Sequence, residues 1–144
     1  MKRLSLFIYF FLITVLQAAA QQSFDKTAVK SVMKRVADWQ IANPNKGAEH
    51  DDLDWTHAAL YMGMLDWAEL TEKEDSDDSY YQWLLRIGQR NHFQIGKWMY
   101  HADFIAVGQP FIDLYLKYGN KKMIAPVMAR ANWVVENPAE TTLE

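Results

Sequence analysis

The stretch from Trp55 to Leu70 constrains the fold of this chain more than any other. Trp55, Ala58, Ala59, Leu60, Tyr61, Met62, Met64, Leu65, Trp67 and Ala68 point in almost every direction around a helical wheel, and a helix that is apolar all round has to be covered on more than one side. Its neighbours are one-sided. Val29, Val32, Met33 and Val36 alternate at helical spacing with Lys30, Lys34, Arg35 and Asp38, which predicts a helix from Lys26 to Ala42 that stops at Asn43-Pro44. Tyr80, Tyr81, Trp83, Leu84, Leu85 and Ile87 predict another that runs out near Asn91. Proline is tolerated only in a helix's first turn, so Pro110 sets the start of a fourth helix between Val107 and Pro110. Phe111, Leu114, Tyr115 and Tyr118 continue it to Gly119-Asn120. A fifth carries Met123, Ile124, Val127, Met128, Ala131, Val134 and Val135 and is halted by Asn137-Pro138. The segments between them read as irregular: an acidic turn from Thr71 to Asp78, a long segment from Asn91 to Ala106, and a polar loop from Pro44 to Asp54 whose acids feed a helix N-terminus. Strand-type alternation is not evident. The fold class is all-α, and the mix of one-sided and all-round helices predicts helical hairpins in two layers. The matching helix ends, Trp39 to Pro44 and Trp133 to Pro138, fit such a repeat.

The first twenty residues run from Lys2-Arg3 through an apolar stretch, Leu4 to Leu16, to Ala18-Ala19-Ala20, the order of a secretory signal peptide cut beside Gln21. That predicts export to a periplasm or the extracellular space with no stable membrane insertion after cleavage, and leaves residues 21–144 as one domain portion. The chain has no cysteine, so packing alone must hold it and disulfide-stapled scaffolds are excluded. A formal net charge of -3 offers no basic field for phosphates, and nucleic acid is excluded as a partner. Aromatic content is high at 14%; much of it must be core, but exposed Trp and Tyr also stack on the apolar faces of sugar rings.

His50, His57, His92 and His101 show no paired ligand spacing, and no metal or cofactor motif, GxSxG elbow, P-loop or Rossmann glycine fingerprint is present. Carboxylates, histidine and aromatics remain, the means by which proteins hold and protonate sugars. The stretch from Trp98 to Asn120 sets His101 and Asp103 two residues apart just before the Pro110 helix, at its mouth and outside its packed body. The local alternative is that Asp103 caps that helix or complements its dipole, and that His101 is a surface residue.

Asp54 to Met64, Tyr100-His101-Ala102-Asp103 with Val107-Gly108-Gln109 and Asp113-Leu114-Tyr115, and the helix end from Trp133 to Pro138 together resemble the N-terminal part of the unsaturated rhamnogalacturonyl hydrolases, glycoside hydrolase family 105. The unsaturated glucuronyl hydrolases of family 88 are more distant relatives. The resemblance implies part of an (α/α)6 toroid, no cofactor, and removal of a 4,5-unsaturated uronic acid from an unsaturated oligosaccharide by hydration of its vinyl-ether double bond. It assigns Asp103 as the catalytic-site acid that meets the sugar hydroxyls, and His101, Trp55 and Tyr61 as substrate-binding residues, with core packing an equal alternative for the two aromatics. Phe104 stands where the family has a second acid, and the family's principal proton donor lies in a later Trp-x-Asp motif. The expectation is therefore an N-terminal portion of a longer catalytic domain, inactive alone, of unassigned oligomeric state. The competing readings are a noncatalytic helical module that binds glycans or proteins, and an inactive fragment.

Overall fold

A computed structural model describes residues 25–44 and 51–139. The signal-type segment over 1–20, the cut beside Gln21, the middle of the acidic loop with Gly47 and Glu49, and the tail from Glu140 lie outside the described residues. Every regular element described is helical, as the spacing of apolar residues predicts.

The chain divides into two units, residues 1–42 and 43–144. The described part of the first is helix α1, Lys26–Ala42. The Asp25 carboxylate opens it by accepting from the Ala28 N–H at 2.9 Å, and Lys34 pairs with Asp38 one turn on at 2.7 Å. Ala37 is its one buried residue, and the stripe of Val29, Val32, Met33, Val36 and Trp39 is exposed.

The second unit is built around α2, Trp55–Asp75. Asp54 caps its N-terminus, taking the Thr56 N–H at 3.1 Å on a carboxylate oxygen, as the acidic loop predicts. The helix runs five residues beyond the expected end at Leu70. The sequence reads Thr71 as the opening of an acidic turn, but its side chain is buried and its hydroxyl donates to the carbonyls of Trp67 and Ala68 at 3.1 and 3.2 Å, so the helix satisfies it. Ser76 closes α2 in a left-handed conformation, φ 57°, returning its N–H to Glu72 while Asp77 bonds the Thr71 carbonyl. Helix α3 follows over Ser79–Arg90, then α4 over Ala102–Ala106, α5 over Gly108–Tyr118, a 3-10 turn over Lys121–Met123, and α6 over Ala125–Glu136.

Helix α2 packs against α3, α4 and α5, which is the many-sided cover its composition demands. Edge-on aromatic pairs knit the layers: Trp67 on Tyr80 at 5.8 Å, Tyr61 on Trp83 at 5.9 Å, Phe93 on Phe111 at 5.3 Å. Tyr61, Tyr80, Val107, Phe111 and Leu114 are fully buried at the centre. Helix α5 starts two residues before Pro110 and ends at Gly119 with φ 69°, both where the sequence places them. Helix α6 buries none of its residues, so its apolar repeat marks a helix without marking a core. Asn137 ends it by donating both its backbone and its side-chain N–H to the Trp133 carbonyl at 2.9 Å.

Candidate functional site

The segment between α3 and α5 holds the candidate site and differs from the expectation of an irregular stretch. Its first residues turn sharply: His92 and Phe93 both have φ of 53°, and the Phe93 N–H returns to the Gly88 carbonyl at 2.7 Å. That turn lays the Phe93 ring over Gly88, where a Cβ would come within 2.2 Å of it. Gly96 is a second close approach. Its N–H donates to the Phe104 carbonyl at 2.7 Å, and the Phe104 ring occupies the space of a Cβ.

Beyond Gly96 the backbone is strapped to α6. The Arg130 guanidinium donates to the carbonyls of Gly96 and Trp98, each at 2.7 Å, the Tyr100 hydroxyl donates to the Asn137 carbonyl, and the Tyr100 ring lies 5.3 Å from Trp133. Held in this way, residues 102–106 close a five-residue helix, α4, through N–H bonds from Phe104 and Ile105 back to the His101 carbonyl. His101 is therefore the residue that precedes α4, and Asp103 lies in its first turn. Neither belongs to α5, whose N-terminal flank at Val107 has no side-chain cap. Asp103 is therefore not a cap of the Pro110 helix, while His101 is at the surface, as the local alternative has it.

His101 Nδ1 stands 3.9 Å from Asp103 Oδ2, with side chains 41% and 54% exposed. Both face solvent, free to meet a ligand. The imidazole sits in an aromatic bracket, 5.2 Å from Trp98 on one side and 5.2 Å from Phe104 on another, with those two rings 5.1 Å apart. Trp98 is 54% exposed. The arrangement offers a carboxylate and an imidazole edge to hydroxyls beside an apolar face of the kind that carbohydrate rings stack on.

The other two assigned residues lie on α2. Trp55 opens that helix and is half-exposed. Tyr61 is buried, and its hydroxyl faces the Asp52 carboxylate at 3.5 Å. Burial and the adjacent Asp52 charge push the phenol well above its ordinary pKa, because both disfavour the phenolate. Asp52 is itself clasped by Arg90 Nε and Nη2, each at 2.7 Å, and by Asn91 Nδ2 at 2.8 Å. This polar knot ties the loop before α2 to the end of α3. The structure thus brings His101 and Asp103 together. Among the described residues, no hydrogen bond, ion pair or ring contact joins them to Trp55 or Tyr61. Arg130, the Asp52–Arg90 pair and the bracketing role of Trp98 went unread in the sequence. The partners in these contacts stand three to 38 residues apart, and no local pattern marks them.

No group of three or more His, Cys, Asp or Glu among the described residues can hold a metal ion. Comparison with known proteins decides the family: the family model described as Glycosyl Hydrolase Family 88 matches residues 14–143. The chain belongs to glycosyl hydrolase family 88. No curated protein and no solved structure matches it. The family match spans both α1 and the whole helical unit that carries His101 and Asp103. Family 88 domains are (α/α)6 toroids, so the described helices form part of one, as the all-α reading implies. Glycoside hydrolysis is the chemistry of the family.

Proposed function

We propose that this family 88 chain belongs to an exported enzyme that removes a 4,5-unsaturated uronic acid from unsaturated oligosaccharides of the pectin or rhamnogalacturonan type, the activity of the related family 105. The observation that carries the reading is the solvent-facing pair His101 and Asp103 beside the Trp98 and Phe104 rings. In this reading the sugar stacks at the aromatic bracket. Asp103 accepts from its hydroxyls and fixes the ring, while His101 orients the carboxylate side. Trp55 adds an exposed aromatic face, and Tyr61 acts through its hydroxyl contact with Asp52, steadying the loop that leads into α2. The reaction is hydration: a carboxylic acid protonates the vinyl-ether carbon, water adds to the neighbouring carbon, and the hemiketal so formed opens with loss of the aglycone. The Lys2-Arg3, Leu4 to Leu16 and Ala18 to Ala20 order supports export.

Calorimetric titration of the full chain with an unsaturated galacturonyl-rhamnose disaccharide tests the site. Binding at least about tenfold tighter than to the saturated disaccharide, and weakened about tenfold or more by Asp103→Asn, is expected from the loss of a charge-assisted hydrogen bond. Equal affinity of wild type and Asp103→Asn would refute the assignment.

A further inference from the structure

A groove on the helical unit shares no lining residue with the bracket around His101 and Asp103. Gln89, His92, Phe93, Asn120, Lys122 and Met123 line it, and it is a half-open groove of about 340 Å³, room for one face of a single sugar ring. Two loops build it. One is the left-handed turn at His92 and Phe93, which sends the Phe93 side chain into the core and leaves His92 outside. The other is the 3-10 turn, where Asn120 Oδ1 takes the Lys122 N–H at 3.1 Å.

The floor is apolar, formed by buried Phe93 and Met123, and the rim is polar and exposed. Among the described residues, the side chains of Gln89, His92 and Lys122 have no hydrogen-bond, ion-pair or ring partner. The Lys122 ammonium is thus an uncommitted cation beside amide and imidazole groups, over a small apolar patch. Such a surface suits a ligand that is itself two-sided: a compact ring with C–H faces, hydroxyls for the amides, and one carboxylate for the ammonium.

We infer that this groove binds a sugar acid, its carboxylate on Lys122 and its ring hydroxyls on Gln89, His92 and Asn120. The site is independent of the proposed catalytic one. Its geometry offers no exposed acid to move a proton, so its role is capture.

The test is a proton–nitrogen NMR titration of the full chain with galacturonic acid, with galactose and acetate as controls. Saturable shifts confined to the amides of residues 89–94 and 119–124, with galactose and acetate each binding at least about fivefold more weakly, are expected from the loss of one half of the contact set. Lys122→Gln, an exposed substitution, is expected to weaken galacturonate binding about fivefold or more, and Gln89→Ala to weaken galactose and galacturonate alike. Equal binding of acetate, unchanged affinity in Lys122→Gln, or shifts confined to residues 98–104 would overturn the inference. The last of these outcomes supports the His101–Asp103 site instead, so the two readings fail separately.

Discussion

Replacing Asp52 by Ala tests whether the knot at the mouth of α2 holds the helical unit together. The carboxylate accepts from Arg90 twice at 2.7 Å, from Asn91 at 2.8 Å and from the buried Tyr61 hydroxyl at 3.5 Å. These bonds are not worth their full charged value. Arg90 is half-exposed and recovers water when its partner goes, which holds the ion-pair share to about 1 kcal/mol or less. Asn91 keeps the Ile87 carbonyl at 3.0 Å. The Tyr61 hydroxyl has no such exit and loses about 1 kcal/mol as an unsatisfied buried group. The freed loop also loosens the Asp54 cap, a contribution of about 1 kcal/mol. Asp52→Ala is therefore expected to destabilise the unit by about 2–3 kcal/mol, a fall in Tm on the order of 5–15 °C for a domain of this size. Denaturant melts followed by circular dichroism give the value, with Arg90→Met and the double variant completing a cycle. Because the two side chains share one interaction, the double variant is expected to fall short of additivity by about 1 kcal/mol. A single-variant loss below about 0.5 kcal/mol, or strict additivity, would refute the argument.

Three further outcomes follow from close contacts. Gly88→Ala sets a methyl within 2.2 Å of the Phe93 ring; overpacking outweighs the helical gain of alanine, and a net loss of about 1–3 kcal/mol in a urea melt is expected. Arg130→Met releases the Gly96 and Trp98 carbonyls, so amide exchange at residues 96–104 is expected to accelerate by about tenfold while the α2 core amides stay protected. The Tyr61 phenol is raised by burial first and by Asp52 second, so the unfolded chain ionises this group before the folded one does. Its contribution is complete below about pH 10 and is lost as pH climbs from there toward the folded-state value. Alkaline melts of Tyr61→Phe are expected to show a shallower decline than wild type, and an identical slope would count against the contact.

Helices whose cause is local were legible in the chain. The many-sided cover of α2, the start of α5 just ahead of Pro110 and its end at Gly119 all rest on properties of single residues. The Asp54 cap and the Asn137 stop belong to the same class. The reading failed where a tertiary partner decides. Thr71 to Asp75 look like an acidic turn until the buried hydroxyl of Thr71 is seen bonding back into α2. Residues 102–106 look irregular because a five-residue helix has no apolar period to display. The ordered motifs point to family 105 with family 88 as a more distant relative, and the match over residues 14–143 establishes family 88.

The strap on the candidate site shows why a helix can matter without being buried. Helix α6 hides none of its residues, yet Arg130, Trp133 and its terminal Asn137 are the groups that hold the backbone from Gly96 to Tyr100. Two side chains and one carbonyl do what a packed face does elsewhere, and they do it at the edge of the unit. The consequence is an ordered rim around an exposed pair. Trp98 and Phe104 bracket His101 because Arg130 fixes the carbonyls of Gly96 and Trp98, and because Gly96 lacks the side chain that would push Phe104 away. Asp103 can therefore stay half-exposed while the frame around it is pinned. On the proposed reading that combination favours a polar ring arriving from solvent: an accessible carboxylate on a backbone already ordered, so that binding costs little conformational entropy.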